Sequence, residues 1–180
     1  MAKTDNGWCF YSISTDSGLT VGSAGTQCIL GDKFSNKKGL LFGDSFAGQY
    51  DPFWDVIGKI NHLSIQSVTP NWCHPSLRDE FYGPLSSRSY EQCQFNRRFV
   101  SENIKKFDFV ILSGQWNVGG ISGIGELIEM ASRETKLVIV MPSPKQFDFD
   151  ISSLFKKSLL YETDFKIENI SHKRDRSEEH

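Results

Sequence analysis

The chain has 180 residues, 38% apolar and 23% charged, which is one domain's length and argues against wholesale disorder. Twenty Lys and Arg against 22 Asp and Glu leave a formal net charge of −2, so nothing supports nucleic acid as a partner. The longest apolar run, Leu137–Pro142, is far short of the roughly 20 residues a membrane-spanning helix needs. No basic segment followed by an apolar one opens the chain, so no signal peptide is read at its start.

The first 36 residues read as irregular, with Asp16–Gly31 rich in glycine and lacking a helical period. Lys37–Gly43 is a short apolar run with polar flanks and predicts a buried strand. Phe46–Ile60 carries apolar residues at Phe53, Val56, Ile57 and Ile60, a helical spacing, with Pro52 acceptable in its first turn. His62–Val68 alternates as a strand does. Thr69–Ser87 holds three prolines with Trp72, Phe81 and Tyr82 and predicts a long loop of the kind that often carries function. Helices are predicted over Tyr90–Phe107, Ile121–Arg133 and Ile151–Tyr161, and strands over Asp108–Ser113, Lys136–Met141 and Phe165–Ile170. Residues 1–170 are expected to form the domain, and Ser171–His180, without an apolar side chain, a solvated tail.

Strands alternating with helices imply a mainly parallel sheet of four to five strands covered on both faces, a flavodoxin-like three-layer α/β sandwich. Strands buried on both faces read as continuous apolar runs, as Leu40–Phe42, Phe109–Leu112 and Leu137–Met141 do. Ligands of such sheets sit beyond the carboxyl ends of the strands. Gly43-Asp44-Ser45, Ser113-Gly114-Gln115-Trp116 and Pro142-Ser143-Pro144 should therefore share one rim. A serine directly after strand and glycine gains an exposed hydroxyl and a helix N-terminus for a developing oxyanion. Gly43 is expected to let the backbone turn sharply there. The same serine also reads as a plain helix N-cap.

The four cysteines, Cys9, Cys28, Cys73 and Cys93, match no compact zinc spacing, and no metal or cofactor is expected. Two disulfides and four buried thiols both fit, and four cysteines allow three connectivities. No glycine-rich nucleotide or phosphate motif supports a cofactor binder.

Leu40-Leu41-Phe42-Gly43-Asp44-Ser45-Phe46 resembles the first block of the SGNH, or GDSL-like, hydrolases. It is not the G-x-S-x-G elbow, since Ala47 stands two after the serine. Cys28, GDSFAGQY, Trp72-Cys73-His74-Pro75, Cys93, DFVILSGQW and VIVMPSP, in that order, resemble a particular group. These are the periplasmic SGNH domains fused to membrane acyltransferases of family three, which O-acetylate bacterial surface glycans. The resemblance implies Ser45 as nucleophile and, with its own N–H, as part of an oxyanion hole completed by Gln115 or Asn117. It implies substrate contacts at Asp44, Trp72 and Trp116, and disulfides Cys9–Cys28 and Cys73–Cys93. An acyl donor, a glycan acceptor and a membrane acyltransferase domain are the implied partners, and a periplasmic or other extracytoplasmic place the implied location.

The family's second-block glycine has no counterpart in Ser67-Val68-Thr69-Pro70, and its D-x-x-H motif, which supplies base and orienter, occurs nowhere in the chain. One reading is that this block is lacking, by truncation or divergence. The other is that Asp175 and His180 act as a displaced pair, with His172, His74 and His62 as further candidate bases. The expected function is a serine-dependent O-acyltransferase or acyl esterase for acetyl groups on surface carbohydrate. The alternative is a catalytically incomplete domain that binds glycan or serves as structure. Trp54, Trp72, Trp116, Phe81, Tyr82 and Tyr90 are read either as sugar-stacking faces near the rim or as core and loop anchors.

Overall fold

The structure, a computed structural model, describes residues 8–116 and 122–143. The elements are β1 (Cys28–Gly31), β2 (Lys38–Gly43), α1 (Ser45–Gly48), α2 (Asp51–Ile60), β3 (Ser64–Val68), α3 (Arg88–Asn103), β4 (Phe109–Ser113), α4 (Ser122–Glu134) and β5 (Leu137–Val140). Short 3-10 turns cover Ser23–Thr26 and Ile104–Lys106. The five strands form one sheet in the order β1-β3-β2-β4-β5. All neighbours are parallel except β1, which runs antiparallel to β3. The expected α/β sandwich is therefore present. Its fifth strand, however, comes from the glycine-rich N-terminal segment. The helix and strand expected over 151–161 and 165–170, and the polar tail, lie outside the described residues.

The pleat sends alternate side chains of each strand to opposite faces. Leu40 and Phe42 of β2 and Val110 and Leu112 of β4 pack with Val100 of α3 and Leu127 and Ala131 of α4. Leu41 and Ile111 point the other way and pack with Trp54 of α2, Ile65 and Leu30. Helices thus cover both faces, and β4 throughout and β2 from Gly39 onward are buried, which explains their apolar runs. No helix among the described residues is long and apolar enough to cross a membrane.

The helix expected over Phe46–Ile60 is two helices. Pro52 has no N–H and its ring would crowd the carbonyl four residues back. It stands in the first turn of α2 instead, and α1 ends at Gly48. The apolar stripe of α2 also faces outward: Phe53, Val56 and Ile60 are exposed, whereas Asp51, Trp54, Asp55 and Gly58 face the sheet. Asp55 accepts the Gly31 N–H at 3.0 Å, and a Cβ at Gly58 would lie 2.8 Å from Gly31 Cα. Close backbone approach to β1 therefore decides this face. Of the two readings open for Trp54, a sugar-stacking face or a core anchor, the structure shows the core anchor.

Asp51 is fully buried and accepts a hydrogen bond from Ser67 Oγ at 3.0 Å. Burial pushes its carboxyl up to about 7, against the pull of the Ser67 hydroxyl and of the Phe10 and Cys9 N–H groups. The unfolded chain holds this proton only below about pH 4. The folded state therefore binds the proton more tightly, and stability falls as pH rises from about 4 through about 7. The loss is on the order of 4 kcal/mol for a shift of this size. Asp51→Asn is expected to flatten that slope, measured as urea-unfolding free energies at about pH 4 and pH 8. An unchanged slope would show that Asp51 titrates as an ordinary carboxylate.

Both disulfides implied by the resemblance are formed, Cys9–Cys28 and Cys73–Cys93. The first ties the N-terminal segment to the edge strand β1. The second ties the long loop after β3 to the buried side of α3.

Candidate active site

Connections leaving β2 and β4 part company. The chain after β2 goes to α2 on one face, and the chain after β4 goes to α4 on the other. Adjacent strands whose connections diverge leave a crevice at their carboxyl ends, where open α/β sheets bind ligands. Ser45 stands at this crevice as the first residue of α1, half-buried. The three rim segments meet there as expected. Gln115 N–H donates to Asp44 Oδ2 at 2.9 Å, Trp116 N–H to Ser143 Oγ at 3.0 Å, and Ser143 Oγ to the Gly114 carbonyl at 2.7 Å.

Gly43 does not make the sharp turn expected of it. It is the last residue of β2, and its φ lies outside the left-handed region. Glycine is needed because a Cβ would lie 1.8 Å from the Ser113 carbonyl oxygen and 2.8 Å from Ala47 Cβ. The strand ends approach so closely that only a hydrogen atom fits between them.

Asp44 is the hub of the site. It is fully buried and caps α1 by accepting Phe46 N–H on Oδ1 at 2.7 Å. Its Oδ2 accepts both Gln115 N–H and, at 2.5 Å, the Tyr82 hydroxyl. The carboxylate expected to contact substrate is thus turned inward onto three donors, and one of them is the Tyr82 hydroxyl. Burial pushes the Tyr82 phenol up, and the neighbouring Asp44 charge and hydrogen bond add to this, so the hydroxyl keeps its proton. The nearby Ser45 side chain pulls the phenol weakly the other way, which places the two hydroxyls as neighbours. The Tyr82–Asp44 pair beside Ser45 is not legible in the sequence. Tyr82 stood out only as one aromatic in a long loop.

That loop is anchored from beneath. Arg97 of α3, buried, donates from Nε to the Ser76 carbonyl at 3.0 Å, pairs with Asp79 at 3.2 Å and also donates to the Glu80 carbonyl. Trp72, at φ 57°, packs edge-on to Phe81 with centroids 6.3 Å apart and covers Gly83. Phe81 in turn meets Tyr90 at 5.3 Å. Trp116 donates from its indole to the Met141 carbonyl at 2.7 Å and lies edge-on to His74 at 5.7 Å. These aromatics serve as loop anchors in the fold.

Of the candidate bases, His62 precedes β3, at the end of the sheet opposite Ser45, and pairs with Asp32 at 3.2 Å. Topology removes it from the site. His74 is on the right rim but buried, and its Nδ1 has no hydrogen-bond partner among the described residues. Burial lowers its pKa against the pull of Glu80 and Asp44, so the ring is neutral at pH 7. Asn117, His172, Asp175 and His180 lie outside the described residues. The Gln115 side-chain amide makes no hydrogen bond among the described residues, while its N–H is committed to Asp44.

A cavity of about 340 Å³ opens beside Ser45, lined by Trp8, Phe10, Ser45, Gly48, Gln49 and Pro52. No sequence signal pointed to Trp8 or Phe10, which the Cys9–Cys28 link brings to this place.

Comparison with curated proteins and with solved structures gives no match. A family model described as "SGNH domain (fused to AT3 domains)" matches residues 9–179, taking in Ser45, both disulfides and Asp175. A serine at the switch-point crevice and a family match over nearly the whole length agree: the chain belongs to the SGNH domains of the kind fused to AT3 domains, with a hydrolase- or acyltransferase-like role.

Proposed function

We propose that the chain transfers acetyl groups to, or removes them from, hydroxyls of bacterial surface carbohydrate, with Ser45 as nucleophile. The observation that carries this reading is the placement of Ser45: half-buried at the crevice, lining a cavity, beside a phenol that a buried carboxylate fixes. Ser45 Oγ attacks the acyl carbonyl while a histidine takes its proton. The oxyanion is met by the Ser45 N–H and by the side-chain amide of Gln115 or Asn117. The leaving group departs with the proton, and a sugar hydroxyl or water then attacks the acyl-enzyme.

The base in this reading is His180, oriented by Asp175. Of the four histidines of the chain, His62 is at the wrong end of the sheet and the His74 ring is enclosed against Trp116; of the two left, His172 and His180, only His180 follows Asp175 in the order of a D-x-x-H block. The two disulfides favour an oxidising, extracytoplasmic compartment. A membrane acyltransferase domain, of the kind to which the family is fused, is the proposed source of the acyl group.

The test is intact-mass labelling with a fluorophosphonate serine probe. One adduct on the wild type and none on Ser45→Ala is the expected result. No adduct on folded wild type would overturn the enzymatic reading in favour of a domain that binds glycan without turning it over. If labelling occurs, its loss in His180→Ala but not in His74→Ala is expected.

A further inference from the structure

We propose that the cavity beside Ser45 seats one uncharged sugar ring of the acceptor, stacked between Trp8 and Phe10 with a ring hydroxyl on the Gln49 amide. The size comes first: about 340 Å³ is at the lower end of the roughly 300–1,000 Å³ of small-molecule sites, room for one ring and far more than an acetyl group fills. The lining comes second. Two aromatic residues and Pro52 supply apolar surface suited to the C–H face of a pyranose, and the hydrogen-bonding side chains among the described lining residues, besides Trp8, are Gln49 and Ser45. Among the described residues no charged side chain lines the cavity, so a phosphate or uronate would find no partner for its charge on this wall.

The cavity is also built rather than incidental. Trp8 and Phe10 flank Cys9, whose disulfide to Cys28 fixes them to β1. The next residue, Tyr11, donates its N–H to the Thr69 carbonyl at 2.8 Å and its hydroxyl to the Thr20 carbonyl at 2.7 Å. Gly48 leaves room for the Phe10 ring, which a Cβ there would meet at 2.7 Å. A wall fixed this way loses little freedom on binding. Because Ser45 is part of the lining, a ring hydroxyl lies beside an acyl group carried there.

This inference rests on Ser45 as the acyl-carrying nucleophile, but its test does not need turnover. Binding of methyl glycosides of neutral hexoses and N-acetylhexosamines, and of methyl uronosides, is measured by calorimetry on the full chain carrying Ser45→Ala. Neutral glycosides are expected to bind saturably at millimolar concentration and uronosides more weakly. Adding Trp8→Ala should weaken neutral-glycoside binding about tenfold, as truncating a buried aromatic anchor does. Gln49→Ala, at an exposed position, should weaken it too and keeps the test valid if Trp8→Ala does not fold. No saturable binding, or binding indifferent to both substitutions or to ring charge, would overturn the proposal. So would a Trp8→Ala protein, otherwise wild type, whose main change is in acyl-chain preference among p-nitrophenyl acetate, butyrate and octanoate, since the cavity would then hold the acyl chain. Failure of the nucleophile reading shows separately, as absence of the fluorophosphonate adduct.

Discussion

Asp44→Asn is expected to destabilise the fold by about 3 kcal/mol and to slow labelling of Ser45 by about 100-fold. Among the described residues the carboxylate accepts from three donors: Phe46 N–H on one oxygen, Gln115 N–H and the Tyr82 hydroxyl on the other. An asparagine has one acceptor oxygen, so its NH₂ must face a donor whichever way the amide turns. Each buried donor left unpaired costs about 1–3 kcal/mol. Tyr82 can relieve the conflict by swinging its proton away from residue 44, but that releases the phenol beside Ser45 from its anchor. A nucleophile misplaced by about 1 Å loses on the order of 100-fold in rate. Urea unfolding and the second-order rate constant of fluorophosphonate labelling measure the two effects. Tyr82→Phe is the graded comparison: Asp44 keeps two donors, so the stability loss should be about 1 kcal/mol while labelling still slows. A variant Asp44→Asn that labels at the wild-type rate would show that the hub holds the fold and not the serine.

What could be seen beforehand follows burial. β2 and β4 are enclosed on both faces, so their residues announce themselves as apolar runs, and the rim at their ends follows from fold class alone. β1 could not be seen in this way. It is four residues at a sheet edge, made a strand by antiparallel pairing with β3 and by the Cys9–Cys28 link. The inward face of α2 was hidden for another reason. Apolar periodicity assumes that apolar residues turn inward, yet Gly58 and Asp55 win that face because β1 comes too close for a side chain and offers an N–H. Aromatics were the least legible class. Trp54 is core, Trp72 and Trp116 brace loops, and the ring beside Ser45 is Trp8, brought there by a pairing across 19 residues. The motif thus located the serine, whereas its neighbour Tyr82 depends on a loop path that no local pattern encodes.

Gly43→Ala should be the most damaging single methyl in the molecule, costing about 4 kcal/mol. Ordinary overpacking costs about 1–3 kcal/mol because side chains can move aside. Here the obstacle is backbone: the new Cβ would sit 1.8 Å from the Ser113 carbonyl oxygen, the residue paired with Gly43 across β2 and β4. Relief requires the strand ends to part or α1 to move, since Ala47 Cβ blocks the other side at 2.8 Å. Either movement carries Asp44 and Ser45 away from Gln115, so reactivity should fall with stability. Gly125→Ala is the control. Nothing lies within 4 Å of a Cβ there, and α4 should gain up to about 1 kcal/mol from the better helix former. Thermal unfolding of both variants, with labelling of Ser45 at a temperature where each is folded, separates two roles for Gly43. If Gly43→Ala folds weakly but labels normally once folded, the glycine serves only the strand junction. If labelling fails in the folded fraction as well, the close approach of β2 and β4 is what builds the site, and the glycine of the motif is there for the serine's sake.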